Sequence, residues 1–271
     1  MADRPGPLLI IGGHEDKDRD RVILKAVAER LNGGRLVIAT VASHEPEGYF
    51  EAYQKAFGAL GVTDLVELYV EERADSGGAE ALATLDGAAA VFFTGGDQLR
   101  ISSQIGDTGL ERRILDLHAA GGLIAGTSAG ASVMSETMLV KGPSSESYRI
   151  GEVHMAPGLG LMKDVIIDQH FAERGRYGRL LGAVAHNPRL LGVGIDEDTA
   201  LLVEGRAGRV IGSGAVYVVD GESATHSNIA EAKADRALSI FDVRTHVLSS
   251  GDRFDFNRRR PTCGSDDDEG T

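Results

Sequence analysis

Gly122-Leu123-Ile124-Ala125-Gly126-Thr127-Ser128-Ala129-Gly130 is the stretch on which the fold turns. An apolar run that reads as a buried strand leads directly into a serine set between two glycines, the setting of a nucleophile elbow. A serine hydroxyl is a poor nucleophile unless a sharp strand-to-helix turn holds it exposed, and small neighbours are needed for substrate and backbone to approach it closely. The pattern alone also fits a plain tight turn, because glycine supplies 36 of the 271 residues. The surrounding chain has to decide.

Upstream of the serine, short β-branched runs alternate with longer amphipathic ones. Leu8–Ile11, Arg35–Val41, Leu65–Val70, Ala89–Phe93 and Leu123–Ala125 read as strands, with helices near 17–31, 47–60, 78–85 and 109–120. This spacing predicts βαβ units with right-handed crossovers. Pro46 and Glu47 are suited to open the second helix. From about residue 163 the rhythm changes: Val165–Ile167, a helix near 174–186, then Leu191–Ile195, Ala200–Val203, Arg209–Ile211 and Val216–Val219, with turns at Glu204-Gly205 and Asp220-Gly221. These closely spaced strands predict antiparallel hairpins at one edge of the sheet. The expected fold is therefore α/β: a mainly parallel central sheet flanked by helices, with antiparallel strands added in the C-terminal part. One hydrolytic domain is expected over 1–256, followed by a charged, disordered tail over 257–271 that contains Arg258-Arg259-Arg260 and Asp266-Asp267-Asp268-Glu269.

Composition narrows the function classes. At 42% hydrophobic residues the chain can bury a full core, and it has no apolar run of the roughly 18 residues that a membrane span needs. No signal-peptide pattern opens it, so a cytoplasmic protein without a membrane partner is expected. The single cysteine, Cys263, allows neither an intrachain disulfide nor a cysteine metal cluster. A net charge of −13 argues against a nucleic-acid partner and suits a cationic substrate.

A serine hydrolase needs a base, an acid that orients the base, and donors for the oxyanion. His170 ends Val165-Ile166-Ile167-Asp168-Gln169-His170, just past a strand, and sites in open α/β sheets collect beyond the carboxyl ends of strands. A histidine that merely caps a strand end is the alternative reading. Asp196, Glu197 and Asp198 follow a neighbouring strand candidate, and one of them can reach the imidazole. The Ala129 amide at the start of the following helix and the Gly96 amide in Phe92-Phe93-Thr94-Gly95-Gly96-Asp97-Gln98 are the natural oxyanion donors. After the histidine come three arginines in six residues, Arg174, Arg176 and Arg179, with Arg176 and Arg179 on one helical face. Cations at a helix start oppose the macrodipole, so they fit better as carboxylate clamps than as a stabilising choice. A solvated basic face is the alternative.

Several metal and nucleotide readings fail on spacing. Asp16, Asp18 and Asp20 occupy the first three ligand positions of a calcium loop, but Arg21 and Val27 stand where its glycine and glutamate belong. Gly12-Gly13 belongs to no dinucleotide fingerprint or P-loop, and no zinc-hydrolase helix motif is present. Neither a metal nor a cofactor is expected.

Together, Thr94-Gly95-Gly96-Asp97-Gln98, Gly126-Thr127-Ser128-Ala129-Gly130-Ala131, Asp168-Gln169-His170-Phe171 with its arginines, and Gly194-Ile195-Asp196-Glu197-Asp198-Thr199 resemble the cyanophycinases. These are serine exopeptidases of the dipeptidase E-like group, with a fold similar to class I glutamine amidotransferases. The resemblance runs from about residue 8 to 250 in the same motif order. It implies that Ser128 is the nucleophile, His170 the base and Glu197 the orienting acid. It also places Gln98, Asp168, Gln169, Arg174, Arg176 and Arg179 around the substrate. The implied substrate is cyanophycin, a poly-aspartate backbone bearing an arginine on each side-chain carboxyl, cut to β-Asp-Arg dipeptides by a homodimer. The loop Gly12-Gly13-His14-Glu15-Asp16-Lys17 departs from the family at position 14, which is usually small. Two rival readings share much of this pattern. An α-aspartyl dipeptidase would keep Ser128 and His170 with little use for the arginines, and a non-catalytic binding protein could stand on the same scaffold.

Overall fold

Leu8–Ile11 (β1), Arg35–Ala39 (β2), Leu65–Leu68 (β3), Ala88–Phe93 (β4) and Leu123–Thr127 (β5) pair in parallel in the order β1-β5-β4-β2-β3. Their helices are Val22–Ala28 (α1), Tyr49–Gly58 (α2), Ala79–Ala83 (α3), Gln98–Ile105 (α4) and Gly109–Ala119 (α5). The protein is seen here as a computed structural model that describes residues 4–142, 148–230, 233 and 235–264. Runs apolar at every position suit strands covered on both faces. On one face Leu9, Ile11, Leu36 and Ile38 pack with Ile23, Leu24 and Phe57 of α1 and α2. On the other, Ile10, Val37, Val91 and Phe93 pack with Ile101 and Ile114 of α4 and α5.

Two helices differ from the sequence expectation for local reasons. The first begins at Val22 rather than near 17, because the Asp16 carboxylate accepts the amides of Asp18, Arg19 and Arg21 at 3.0, 3.0 and 2.8 Å and ties this stretch into a loop. The unforeseen α4 has a recognisable N-cap: Asp97 Oδ1 accepts the Leu99 amide at 2.8 Å.

After β5 come Ala129–Ser132 (α6), the hairpin Thr137–Lys141 (β6) and His154–Pro157 (β7), then Val165–Gln169 (β8), Tyr177–His186 (α7) and Leu191–Ile195 (β9). Thr199–Glu204 (β10), Ala207–Gly212 (β11), Val216–Asp220 (β12), His226–Ser227 (β13), Ile240–Phe241 (β14), Arg244–Leu248 (β15), Arg253–Asp255 (β16) and Arg260–Thr262 (β17) follow. β10, β11, β16 and β17 extend the central sheet antiparallel beyond β1, as expected of added hairpins. The remaining strands do something else. β8 and β9 pair in parallel through α7, and with β12 and β15 they make a separate four-stranded sheet. A parallel pair needs a crossover rather than a hairpin, so this βαβ unit forms its own layer.

The ordered chain also runs past residue 256, where a disordered tail was expected to begin. The β16–β17 hairpin joins Phe254 to Pro261, and Arg259 reaches inward to the buried Asp220 at 2.6 Å and to the Arg189 carbonyl at 2.5 Å. A buried carboxylate requires such a partner. The acidic run 266–269 lies outside the described residues.

Candidate active site

The turn between β5 and α6 sets Ser128 at φ 53° and ψ −110°, a conformation rare for a residue with a side chain and the kind of strain that persists at working sites. The Ser128 amide is held by the Ile11 carbonyl at 3.0 Å. Gly130 is required here, because a Cβ on it would stand 2.4 Å from the Phe93 carbonyl oxygen.

Ser128 Oγ lies 2.9 Å from His170 Nε2, and His170 Nδ1 lies 2.6 Å from Glu197 Oε1. The parallel register explains the meeting: Gln169 of β8 sits beside Ile195 of β9, so His170 and Glu197 leave adjacent strand ends. Of the three candidate acids, Glu197 is the one that reaches the imidazole. Asp196 accepts the Ala172 and Ala215 amides at 2.9 and 3.1 Å, and Asp198 accepts the Asp16 amide and the Ser213 hydroxyl at 3.0 and 2.9 Å. Burial pushes His170 below its ordinary value; the Glu197 hydrogen bond opposes that push, and Arg174 and His14 add to it. The imidazole is thereby neutral near pH 7, the form a base needs.

The loop that sequence reasoning left without a role forms one wall of the site. The Gly12 carbonyl accepts the His170 amide at 2.8 Å. At Gly13, with φ 113°, a Cβ would stand 2.3 Å from His170 Cε1, so only glycine fits against the ring. Glu15 is fully buried, accepting from Tyr53 at 2.5 Å, from Lys17 Nζ at 2.8 Å and from Thr127 Oγ1 at 2.6 Å. The residue before the serine is therefore tied through Glu15 to the β1–α1 loop, its Lys17 ammonium and α2 at once. Glu15 and Thr127 are 112 residues apart, and no local pattern announces such a pairing.

The arginines divide. Asp168 is fully buried and paired with both Arg176, at 3.2 Å, and Arg179, whose Nε donates to it at 2.7 Å while an Nη closes a bidentate pair. Expected around the substrate, Asp168 instead lies beneath these two guanidinium groups and holds them. Arg176 also donates to the Gln169 carbonyl and side-chain oxygens at 2.5 and 3.0 Å; its Nε is buried without a partner, and burial lowers the group to about 10. Arg174 precedes α7, is exposed, and makes no side-chain hydrogen bond or ion pair among the described residues. It is the uncommitted cation of the three. Arg174, Arg176, Arg179, Gln98 and Gln169 all line a cavity of about 480 Å³ that opens on Ser128. Gln98 spends its amide nitrogen on the Leu139 carbonyl at 2.8 Å. Gly95 and Gly96 line the same cavity, and neither the Gly96 nor the Ala129 amide donates to an acceptor among the described residues.

A strained serine, a buried neutral imidazole and a carboxylate in series, beside unspent amides, can take a proton from the hydroxyl and receive an oxyanion. On an α/β scaffold they define a serine-type peptidase. The description Peptidase family S51 matches residues 8–211. Cyanophycinase from Synechococcus elongatus is 40% identical over 251 residues, covering 91% of this chain and 78% of that protein. Cyanophycinase from Geminocystis herdmanii is 38% identical over 261 residues, covering 95% and 96%. A solved peptidase from an acI-B1 actinobacterium shares the fold at a TM-score of 0.70 and 22% identity, covering 94% of this chain and 99% of that one. The chain belongs to peptidase family S51. Among the described residues no helix is long and apolar enough to cross a membrane.

Proposed function

We propose that the chain is a serine exopeptidase that hydrolyses cyanophycin to β-Asp-Arg dipeptides. Ser128 Oγ attacks the main-chain aspartyl carbonyl carbon while its proton passes to His170 Nε2. Glu197 holds the resulting imidazolium, and the Gly96 and Ala129 amides receive the oxyanion. The proton then moves to the leaving amine as the peptide bond breaks, and water releases the acyl group by the same route. The observation that carries this reading is the 2.9 and 2.6 Å pair of contacts that joins Ser128, His170 and Glu197.

Arg174 supplies the free guanidinium for a substrate carboxylate, and Arg176, locked on Asp168, lines the same cavity. Gln98 and Gln169 complete the polar surface around the substrate. A homodimer in the cytoplasm belongs to the same proposal. The dimer rests on the family resemblance, and sedimentation of the purified chain tests it. The activity is tested by comparing kcat/KM on cyanophycin, on poly-aspartate without arginine and on an α-Asp dipeptide. Strong preference for cyanophycin is expected. Equal cleavage of poly-aspartate, or preference for the free dipeptide, would defeat the substrate assignment.

A further inference from the structure

His14 stands at the mouth of the cavity with a backbone φ of 46° and a side chain that is 72% exposed. Its Nδ1 lies 3.1 Å from Glu197 Oε2, the oxygen that His170 does not use, and its ring stands edge-on to His170 with centroids 5.1 Å apart. One donor atom from each of His14, His170 and Glu197 falls within 4.8 Å of the other two. Two imidazoles and a carboxylate are the donor set of a tetrahedral zinc site with an open fourth position. Ligands about 2.1 Å from such an ion stand about 3.4 Å apart. His14 Nδ1 stands 3.1 Å from Oε2 and His170 Nδ1 2.6 Å from Oε1 of the same carboxylate, so an ion held by one atom of each residue asks the His170 contact to open by about 0.8 Å and the triangle, which spans no more than 4.8 Å, to adjust around it. No contiguous motif encodes the triangle, since its corners come from the β1–α1 loop and the ends of β8 and β9.

We propose that His14, His170 and Glu197 form an inhibitory site for a divalent transition-metal ion, with zinc as its type. The proposal rests on the assignment of His170 and Glu197 to the catalytic series. Without metal, neutral His170 keeps its single proton on Nδ1, facing Glu197, and offers the Nε2 lone pair to Ser128. An ion bound at Nδ1 displaces the proton there and occupies the Nδ1 lone pair, and the ring's single proton resides on Nε2 instead. His170 then donates toward Ser128 and can no longer accept its proton. Glu197 is drawn to the ion through the same carboxylate. No substrate bond changes and no electron moves, so removing the metal restores the base. His14 is the corner that carries no proton in the peptidase chemistry.

The test uses the full chain stripped of metal. Zinc is titrated against a chromophoric chelator, and kcat on cyanophycin is followed over the same zinc range, for wild type, His14→Ala and His14→Asn. Asparagine keeps a backbone preference for positive φ without supplying an imidazole. The wild type is expected to bind one zinc per chain, to lose activity in step with occupancy and to recover with EDTA. Magnesium, which prefers octahedral oxygen ligands, should leave it active. Both variants should bind zinc at least about 10-fold more weakly, with inhibition, read against each variant's own zinc-free activity, shifted to match. Unchanged zinc affinity in both variants, or inhibition that does not follow occupancy, would overturn the proposal. Failure of the metal-free wild type to cleave the polymer would count against the proposed peptidase function, while the chelator competition would still decide whether the three residues hold zinc.

Discussion

Ser128, His170 and Glu197 meet through contacts of 2.9 and 2.6 Å, so their substitutions should act on turnover with little effect on the fold. Ser128→Ala removes one oxygen from a turn that tolerates alanine and should cost at least about 10³ in kcat with Tm unchanged. Glu197→Gln should cost far more activity than Asp196→Asn or Asp198→Asn. Those two carboxylates are spent on the amides of Ala172, Ala215 and Asp16, so their loss should appear mainly in Tm. Larger activity loss at Asp196 would mean that the acid is assigned wrongly by one residue. The arginines should separate in the same way. Arg174→Ala removes an exposed guanidinium that is unpaired among the described residues, and the loss of a proposed charge-assisted substrate contact of about 1.5–3 kcal/mol should lower kcat/KM on cyanophycin about 10- to 150-fold at constant Tm. Arg174→Lys should rescue it incompletely, because an ammonium cannot form the guanidinium fork. Arg179→Ala strips a bidentate partner from the fully buried Asp168 and should cost about 3 kcal/mol of stability. Measuring Tm and kcat/KM on both variants decides whether this division is real.

Elements differ in how plainly the sequence announces them. β1, β2, β4, β5 and the serine turn were readable because buried parallel strands are nearly continuous apolar runs and glycines mark the turn, while β3, at the sheet edge, carries an exposed Glu67. β8, α7 and β9 were readable as elements but not as a separate layer: strand spacing cannot tell a hairpin neighbour from a crossover partner placed in another sheet. His170 and Glu197 were legible from their positions at strand ends, as was the cationic run after His170. The commitment of Arg176 and Arg179 was missed, although an aspartate closing Val165-Ile166-Ile167 is a buried acid that demands a cation. Glu15 had no such signal, since its partners beyond Lys17 lie on β5 and α2. The tail was misjudged because Arg259 is indistinguishable in sequence from its exposed neighbours. Removing residues 257–271 should therefore lower Tm, as the buried Asp220 loses the Arg259 partner it holds at 2.6 Å and keeps Arg244 at 3.5 Å and the Glu222 amide at 3.0 Å. An unchanged Tm would show that the hairpin adds nothing to the body. Gly13→Ala should damage activity strongly, because the added Cβ displaces the His170 ring.

The whole molecule carries a sign-definite pH dependence. Burial lowers the histidines His118, His170 and His246 below 6.5. Below that pH the unfolded chain binds protons that the native fold still refuses, so these three contribute a stability that rises with pH. Their contribution is lost as pH falls from 6.5 toward their lowered values. Asp196, raised by burial, runs the other way at lower pH. Scanning calorimetry should find a lower Tm at pH 5.5 than at pH 7.5, and with neutral His170 as the proposed base the acid limb of kcat/KM should fall below 6.5. A Tm that rises on acidification to pH 5.5 would contradict the burial of these imidazoles. The central claim, a serine peptidase acting on cyanophycin through Ser128, is tested most directly by mass spectrometry of what metal-free enzyme releases from the purified polymer. The account predicts β-Asp-Arg dipeptide from the wild type and none above background from Ser128→Ala. Release of free arginine alone, no release at all, or equal dipeptide release by the alanine variant would contradict it.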